Sequence, residues 1–335
     1  MGSGESAAGS ALRRVGLNAN TGLDLVRATE AAAIAAARLM GRGAVEAADA
    51  AAAEAMAAAL AGLDIAGRLV VADDERHATR ALLPNGAAVG RGGPISADLV
   101  VDPIDGRRQL AQGRNGAVAF AAVTEREALW QPGPARYIDK VIVGPAVAPY
   151  LVPECIDAPA AWTLALVARA LHRSVADLAV FVLDRPRHAD LINEIRSAGA
   201  RVMLADDGDI YGALLAVTAD TGVDLLLGVG RTTEALLSAC AVRAIGGAML
   251  ARPAPQSPQE FAELRAAGSD LRQILQVTDL VRSDQIFFVG TGITDSVLLK
   301  GVRLDGARAA TNSLILRAAT RTRRLIFADH QLASG

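Results

Sequence analysis

Ala97-Asp98-Leu99-Val100-Val101-Asp102-Pro103-Ile104-Asp105-Gly106 joins a short apolar run to two carboxylates set around a proline and followed by a glycine. Leu99 to Val101 predict a strand. Pro103 has no N–H, so ladder pairing is expected to stop there, and it biases Asp102 toward extended backbone. Gly106 permits a tight exit. Asp102 and Asp105 are thereby placed at the carboxyl end of a strand, where α/β proteins gather their chemistry. Two close carboxylates repel each other unless a cation or a shared proton lies between them. Hard oxygen donors of this kind suit Mg²⁺ or Mn²⁺. The same residue types also build an ordinary surface turn, and from this stretch alone both readings stand.

Outward from it, Pro84 to Pro94 reads as a Gly/Pro-rich loop leading into the strand, and Leu69 to Val71 as an earlier strand. That strand runs into the acidic cluster Ala72-Asp73-Asp74-Glu75-Arg76. Leu23 to Met40 has helical composition and ends at Gly41, and a second helix is predicted over about Ala44 to Ala61. Ala117 to Val123 and Val141 to Val143 read as further strands of the same sheet. From about Pro153 the rhythm changes. Helices over Ala160–His172, His188–Ala198, Ile210–Val217 and Thr233–Ile245 alternate with strands over Ala179–Leu183, Val202–Leu204 and Val223–Gly228. That alternation predicts βαβ units and a mostly parallel sheet. Gln285–Val289, Ser296–Val302, Ala310–Leu316 and Leu325–Ala328 read as later strands.

The chain has 335 residues, 52% hydrophobic and 21% charged, enough for one large α/β unit or two smaller ones. Aromatics are only 3%, which argues against base-stacking platforms, and a net charge of −2 gives no global field for nucleic acid or an anionic membrane. Acidic residues interrupt the alanine-rich run Ala44 to Leu63, so it reads as an ordinary helix and not a membrane span. Met1 to Ser10 has no basic n-region or apolar h-region and reads as a flexible tail, with the cytoplasm as default location. Cys155 and Cys240 fit no ligand spacing and are expected to be reduced. His172 and His188 show no metal-ligand pattern. Apart from Lys140 and Lys300, every basic residue is an arginine. Arginine's planar fork suits phosphate, and a GC-rich genome would produce the same bias. No Gly-x-Gly-x-x-Gly turn joins a strand to a helix, which sets aside a dinucleotide-binding oxidoreductase.

Several stretches occur in one order: Gly41-Arg42-Gly43 with Ala48-Asp49; Asp102-Pro103-Ile104-Asp105-Gly106; Tyr137 with Lys140-Val141-Ile142-Val143-Gly144-Pro145; Arg185-Pro186-Arg187-His188; Asp207-Gly208-Asp209; Gly228-Val229-Gly230 with Glu234; and Thr291-Gly292-Ile293-Thr294. In types and order they resemble the bacterial class II fructose-1,6-bisphosphatases, within the lithium-sensitive phosphatase superfamily. The resemblance implies a layered α/β/α/β/α sugar-phosphatase fold. It would comprise a tail over 1–18, a metal-binding half over 19–155 and a substrate-binding half over 156–335 whose last strands pack back on the body. It implies a phosphoric monoester hydrolase of carbohydrate metabolism (gluconeogenesis), using Mn²⁺ or Mg²⁺ and assembling as a homodimer or homotetramer. The implied metal ligands are Asp49, Asp73, Asp102, Asp105 and Glu234. Read singly, Asp49 fits a solvated helix face, Asp73 an acidic turn, and Glu234 a first-turn helix residue favoured by the macrodipole.

Substrate contacts are expected from the second half. Arg185 and Arg187 flank Pro186 at a strand-to-helix turn, where cations and helix N–H groups grip phosphate. Asp207 and Asp209 straddle Gly208 and are candidates to accept bonds from sugar hydroxyls. Tyr137 and Gly230 complete the substrate set. Solvated loop charges and a partly buried tyrosine are the plainer readings. The chain departs from the family where the latter has a threonine after the glycine, a hydroxyl held to orient the attacking water. Here that position is Arg107, followed by Arg108. Arginine offers no hydroxyl and no base at neutral pH, but it clamps phosphate charge. Asp73 and Asp105 stand where the family has glutamates, Asp74 and Arg231 where it has glycines, and Val45 where it has a lysine. Asp102, Asp105 and Arg107 are therefore the catalytic candidates of either an altered phosphatase or a homologue that binds a sugar phosphate, or a partner subunit, without turnover.

Overall fold

The computed structural model describes residues 17–71 and 81–332. The tail Met1–Ser10 and the acidic cluster with the ligand candidate Asp73 lie outside the described residues. The chain folds as an α/β protein built on two sheets. The first holds β1 (Gly67–Val71), β2 (Ala88–Val89), β3 (Ala97–Asp105) and β4 (Val118–Glu125) from the first half. The late strands β11 (Phe287–Gly292), β12 (Arg303–Asp305), β13 (Arg308–Arg317) and β14 (Thr322–Gln331) complete it. The second runs β10-β9-β5-β8-β6-β7, from β5 (Tyr137–Val143), β6 (Ala179–Leu183), β7 (Arg201–Ala205), β8 (Leu225–Arg231), β9 (Ala248–Pro253) and β10 (Leu275–Gln276).

Strand parity shows how helices cover these sheets, because alternate residues face opposite sides. In the first sheet Leu99, Val101, Ala119, Ala121 and Val289 share a core with α1 (Thr21–Ala37) and α2 (Val45–Ala61). Their neighbours Val100, Phe120, Ala122 and Phe288 face a second core with α6 (Asp209–Val217) and α7 (Thr232–Ile245). Ile138, Ile142, Phe181 and Leu226 of the second sheet meet that same core from the other side. Val141, Val143, Val180, Val182 and Leu225 turn away from it, onto α4 (Ala160–Leu171) and α5 (Ala189–Ser197). α1 and α2 are rich in alanine at these contacts, which lets helices and sheet approach closely. α3 (Arg107–Ala111) is a single short turn directly after β3.

The structure corrects five expectations. Val141–Val143 does not join the sheet of Ala117–Val123; β5 is central to the second sheet. That sheet is mixed: β6 is parallel to β7 and β8, whereas β5 is antiparallel to β8 and β9. The β8–α7–β9 crossover is a parallel unit, but β5 is inserted between its two strands. Ser296–Val302 is a loop. The Ser296 hydroxyl receives the Leu299 N–H at 3.0 Å and donates to the Leu299 carbonyl, so a local turn replaces the ladder. Finally, β3 continues past Pro103 to Asp105, and Pro84–Pro94 contains the short strand β2. α8 (Pro258–Ala266) and β9 carry no expectation from the sequence; α8 starts with Ser257 capping the Glu260 N–H at 3.2 Å.

Candidate active site

β3 delivers both carboxylates of the opening stretch. Asp102 pairs with Phe120 and Asp105 with Val118, and the register shifts between them. Pro103 has no N–H to give a ladder, so it occupies the bulge. The bulge re-aims the strand end, and Asp102 Oδ1 accepts the Ile104 N–H at 3.0 Å. Gly106 then turns at φ +89°, where a Cβ would press on the Ala117 backbone. Asp105 Oδ2 accepts the Tyr211 N–H at 2.8 Å from the first turn of α6. Its Oδ1 is buried with no hydrogen-bond partner among the described residues. Burial first, and then the charges of Asp102, Asp207 and Glu234, hold the Asp105 carboxyl well above the usual carboxylate range.

The turn before α2 is tied to the same place. The Gly41 N–H donates to the Leu110 carbonyl and the Gly43 N–H to the Ala111 carbonyl, each at 2.9 Å. Gly41 and Gly113 approach so closely that a side chain on either would touch the other's Cα. Docked onto α3 in this way, α2 brings Val45 and Glu46 to the cleft described below, and buries Asp49 one turn on. Asp49 thus does not lie on a solvated face.

From the second sheet, Glu234 sits in the first turn of α7, where its Oε2 accepts the Arg231 N–H at 2.8 Å. Burial, with Asp209 and Asp207 beside it, raises its carboxyl to about 8 against the opposing pull of that N–H and Lys140. Asp209 is buried and paired with Lys140 Nζ at 2.6 Å. A Cβ at Gly230 would overlap both partners of this pair, so the glycine makes room for it. Lys140 entered the sequence reading only as part of a quoted stretch and was given no role. Its signal was present: it is one of only two lysines and stands inside an apolar strand. His188 is buried between elements. Its Nδ1–H donates to the Leu183 carbonyl at 2.7 Å and its Nε2 accepts the Val229 N–H at 2.8 Å, which fixes one neutral tautomer.

Between these parts opens a cleft of about 370 Å³. Arg107, Arg108, Arg185, Arg187 and Arg231 line it, together with Tyr137, Glu46, Asp207 and Glu234. Five guanidinium groups against three carboxyl groups make a cation-rich recess, suited to an anion with several oxygens. Arg187 is held by the Val229 carbonyl through Nε and Nη2, at 3.1 and 2.8 Å, with its carbon 5.3 Å from the Tyr137 ring centroid. Arg185 donates to the Asp206 carbonyl at 2.5 Å and approaches Asp207 at 3.8 Å. Arg107 has a buried Nε without a partner among the described residues. Of the residues singled out from sequence, Arg107, Tyr137, Arg185, Arg187, Asp207 and Glu234 line this cleft. Asp49, Asp102, Asp105, Asp209 and Gly230 are not among its lining residues.

Hard carboxylate oxygens, one of them on Asp105 buried without a donor, fit a divalent cation. Among the described residues no three His, Cys, Asp or Glu groups stand close enough to hold one ion by themselves, and Asp73 is outside that count. No helix among them is long and apolar enough to cross a membrane.

A family model described as "Bacterial fructose-1,6-bisphosphatase, glpX-encoded" matches residues 19–330. A Haemophilus influenzae protein named fructose-1,6-bisphosphatase class 2 is 34% identical over 329 residues, 94% of this chain and 97% of the relative. An Escherichia coli K12 protein named fructose-1,6-bisphosphatase 1 class 2 is 34% identical over 323 residues, 92% of this chain and 95% of its own length.

Proposed function

Because the chain belongs to the bacterial class 2 fructose-1,6-bisphosphatases, a family of sugar-phosphate hydrolases, we propose that it hydrolyses fructose 1,6-bisphosphate to fructose 6-phosphate and phosphate with Mn²⁺ or Mg²⁺. The observation that carries the reading is the arginine-lined cleft beside the buried ends of β3 and α7. Asp102 and Asp105 would hold the cation, with Asp49, Asp73 and Glu234 as the further ligands the family pattern assigns. A bound divalent cation supplies charge neutralisation at phosphorus and an acidified water. The chain's own residues do the rest. Arg185 and Arg187 bind phosphate oxygens, Arg187 held in place by the Val229 carbonyl and Tyr137. Asp207, on the cleft wall, accepts from sugar hydroxyls. Arg107 clamps phosphoryl charge where the family has a hydroxyl, and it relays no proton. Family membership also supports a cytoplasmic role in gluconeogenic carbohydrate metabolism and a homo-oligomeric state.

The test is phosphate release from fructose 1,6-bisphosphate with each metal, alongside Asp102→Ala and Arg107→Thr. Turnover lost by at least about 10²-fold in Asp102→Ala supports the reading. A folded but silent wild type that fructose 1,6-bisphosphate stabilises against heat supports binding without turnover, the outcome that Arg107 in place of the family's hydroxyl favours. Hydrolysis gained in Arg107→Thr would then locate the loss at this residue.

A further inference from the structure

Tyr211 serves the candidate site through both its main chain and its side chain. Its N–H, in the first turn of α6, donates to Asp105 Oδ2 at 2.8 Å. Its phenol reaches the loop after β11, where the hydroxyl accepts the Val297 N–H at 3.0 Å and has the Ser296 side chain as a second partner. Burial pushes the phenol above its usual range, so it keeps its proton and can donate as well as accept. The aromatic ring lies beside Gly116, 3.9 Å from where a Cβ would stand. Val297 itself is 67% exposed. Burial does not hold this part of the loop in place; hydrogen bonds do.

The base of the loop is fastened to the segment that follows α3. The Asp295 carbonyl accepts the Gly116 N–H and the Thr294 hydroxyl accepts the Ala117 N–H, each at 2.9 Å. Asp295 Oδ1 takes the Gly301 N–H at 2.9 Å, which closes the loop on itself. Ala117 in turn abuts Gly106, where a Cβ would lie 3.1 Å from the Ala117 Cα. Gly106 directly follows Asp105. The contacts therefore close a circuit. It runs from Asp105 through Tyr211 to Val297, down the loop to Asp295, across to Gly116 and Ala117, and back through Gly106. Asp105 is held at its backbone and at Oδ2, while Oδ1 is the oxygen with no donor among the described residues. Its side chain is also one methylene shorter than the glutamate the family has there, so it has less reach with which to offset a displaced backbone.

We propose that Tyr211 is a positioning residue: by tying the loop over residues 294–301 to Asp105, it sets the carboxylate that receives the divalent cation. The inference rests on the metal reading of Asp105 given above.

Mn²⁺ binding, read from the spin-resonance signal of the free ion, tests this without turnover. Tyr211→Phe deletes the hydroxyl and keeps the N–H and the ring. It should weaken Mn²⁺ binding about tenfold while the circular dichroism stays native. In an Asp105→Asn background the same change should cost far less, because the tyrosine acts through Asp105; a purely structural role would cost as much in both backgrounds. In the wild type Mn²⁺ should slow amide exchange at Val297, and in Tyr211→Phe it should not. The wild-type exchange measurement stands even where the variant does not fold. Mn²⁺ binding that leaves the Val297 amide unchanged, an unaltered affinity in Tyr211→Phe, or an equal loss in both backgrounds overturns the proposal and leaves the metal reading in place. A wild type that binds no Mn²⁺ overturns both.

Discussion

Lys140 and Asp209 are an ion pair with almost no water around it, 1% and 3% exposed at the side chain. The desolvation cost of such a pair is repaid only while both partners are present. Replacing Lys140 by Met is expected to cost about 3–5 kcal/mol, because it leaves a buried carboxylate uncompensated. Gly230→Ala pushes a methyl into the pair and should cost about 1–3 kcal/mol. Thermal unfolding of the two variants, well below the wild-type Tm in both cases, checks this. His188 gives a pH signature. Burial, aided by Arg187 and Lys140 and opposed by the Leu183 carbonyl and Asp209, lowers its ring below the ordinary 6.5. The unfolded chain therefore takes up a proton that the folded chain refuses. This contribution to stability is whole above about pH 6.5 and is lost as pH falls toward the depressed folded value. His188→Gln should be less stable at pH 7 and show a flatter fall in Tm between pH 7 and 5 than the wild type.

At the scale of elements, most helices, though not α8, were legible because apolar spacing and end signals are local. α4 was expected over Ala160–His172 and is found over Ala160–Leu171, stopped by His172 in the left-handed region. β6 occupies its expected residues, Ala179–Leu183. Pairing was not legible. Nothing in Tyr137–Val143 itself records that β8 and β9, about 80 and 110 residues later, close on both its edges. The apolar composition of Ser296–Val302 resembles a strand, yet Ser296 closes on Leu299 within the loop, and the N–H groups of Val297, Lys300, Gly301 and Val302 donate to Tyr211, Asn312, Asp295 and Ile293 instead of to a ladder. Site residues divided along the same line. Asp102 and Asp105 were readable because strand, proline and glycine fix their place within ten residues. The burial of Asp49 depends on Gly41 and Gly43 docking onto α3, a contact made from a distant part of the sequence. Lys140 shows its role only when Asp209 and Gly230 arrive beside it.

At the scale of the whole molecule, α7 belongs to both sheets. It packs against β3, β4, β11 and β13 on one side and β5, β8 and β9 on the other, and twelve of its residues are buried. Leu236, fully buried on this helix, couples the two. Leu236→Ala should cost about 2–5 kcal/mol. Amide exchange should then quicken in β4 and β5 together, with unfolding still a single transition; protection lost from one sheet alone would show that the sheets are uncoupled. The placement of β11 between β4 and β13 has a further consequence, for synthesis. The strands of the second sheet lie between residues 137 and 276, so the ribosome delivers that sheet whole. β4, finished at Glu125, waits for Phe287 and its neighbours, about 160 residues later. At elongation rates of about 5–20 residues per second that is a delay on the order of 10–30 s. Throughout it Val118-Ala119-Phe120-Ala121-Ala122-Val123 carries an open edge, and that hexapeptide is the segment a nascent-chain chaperone would have to shield.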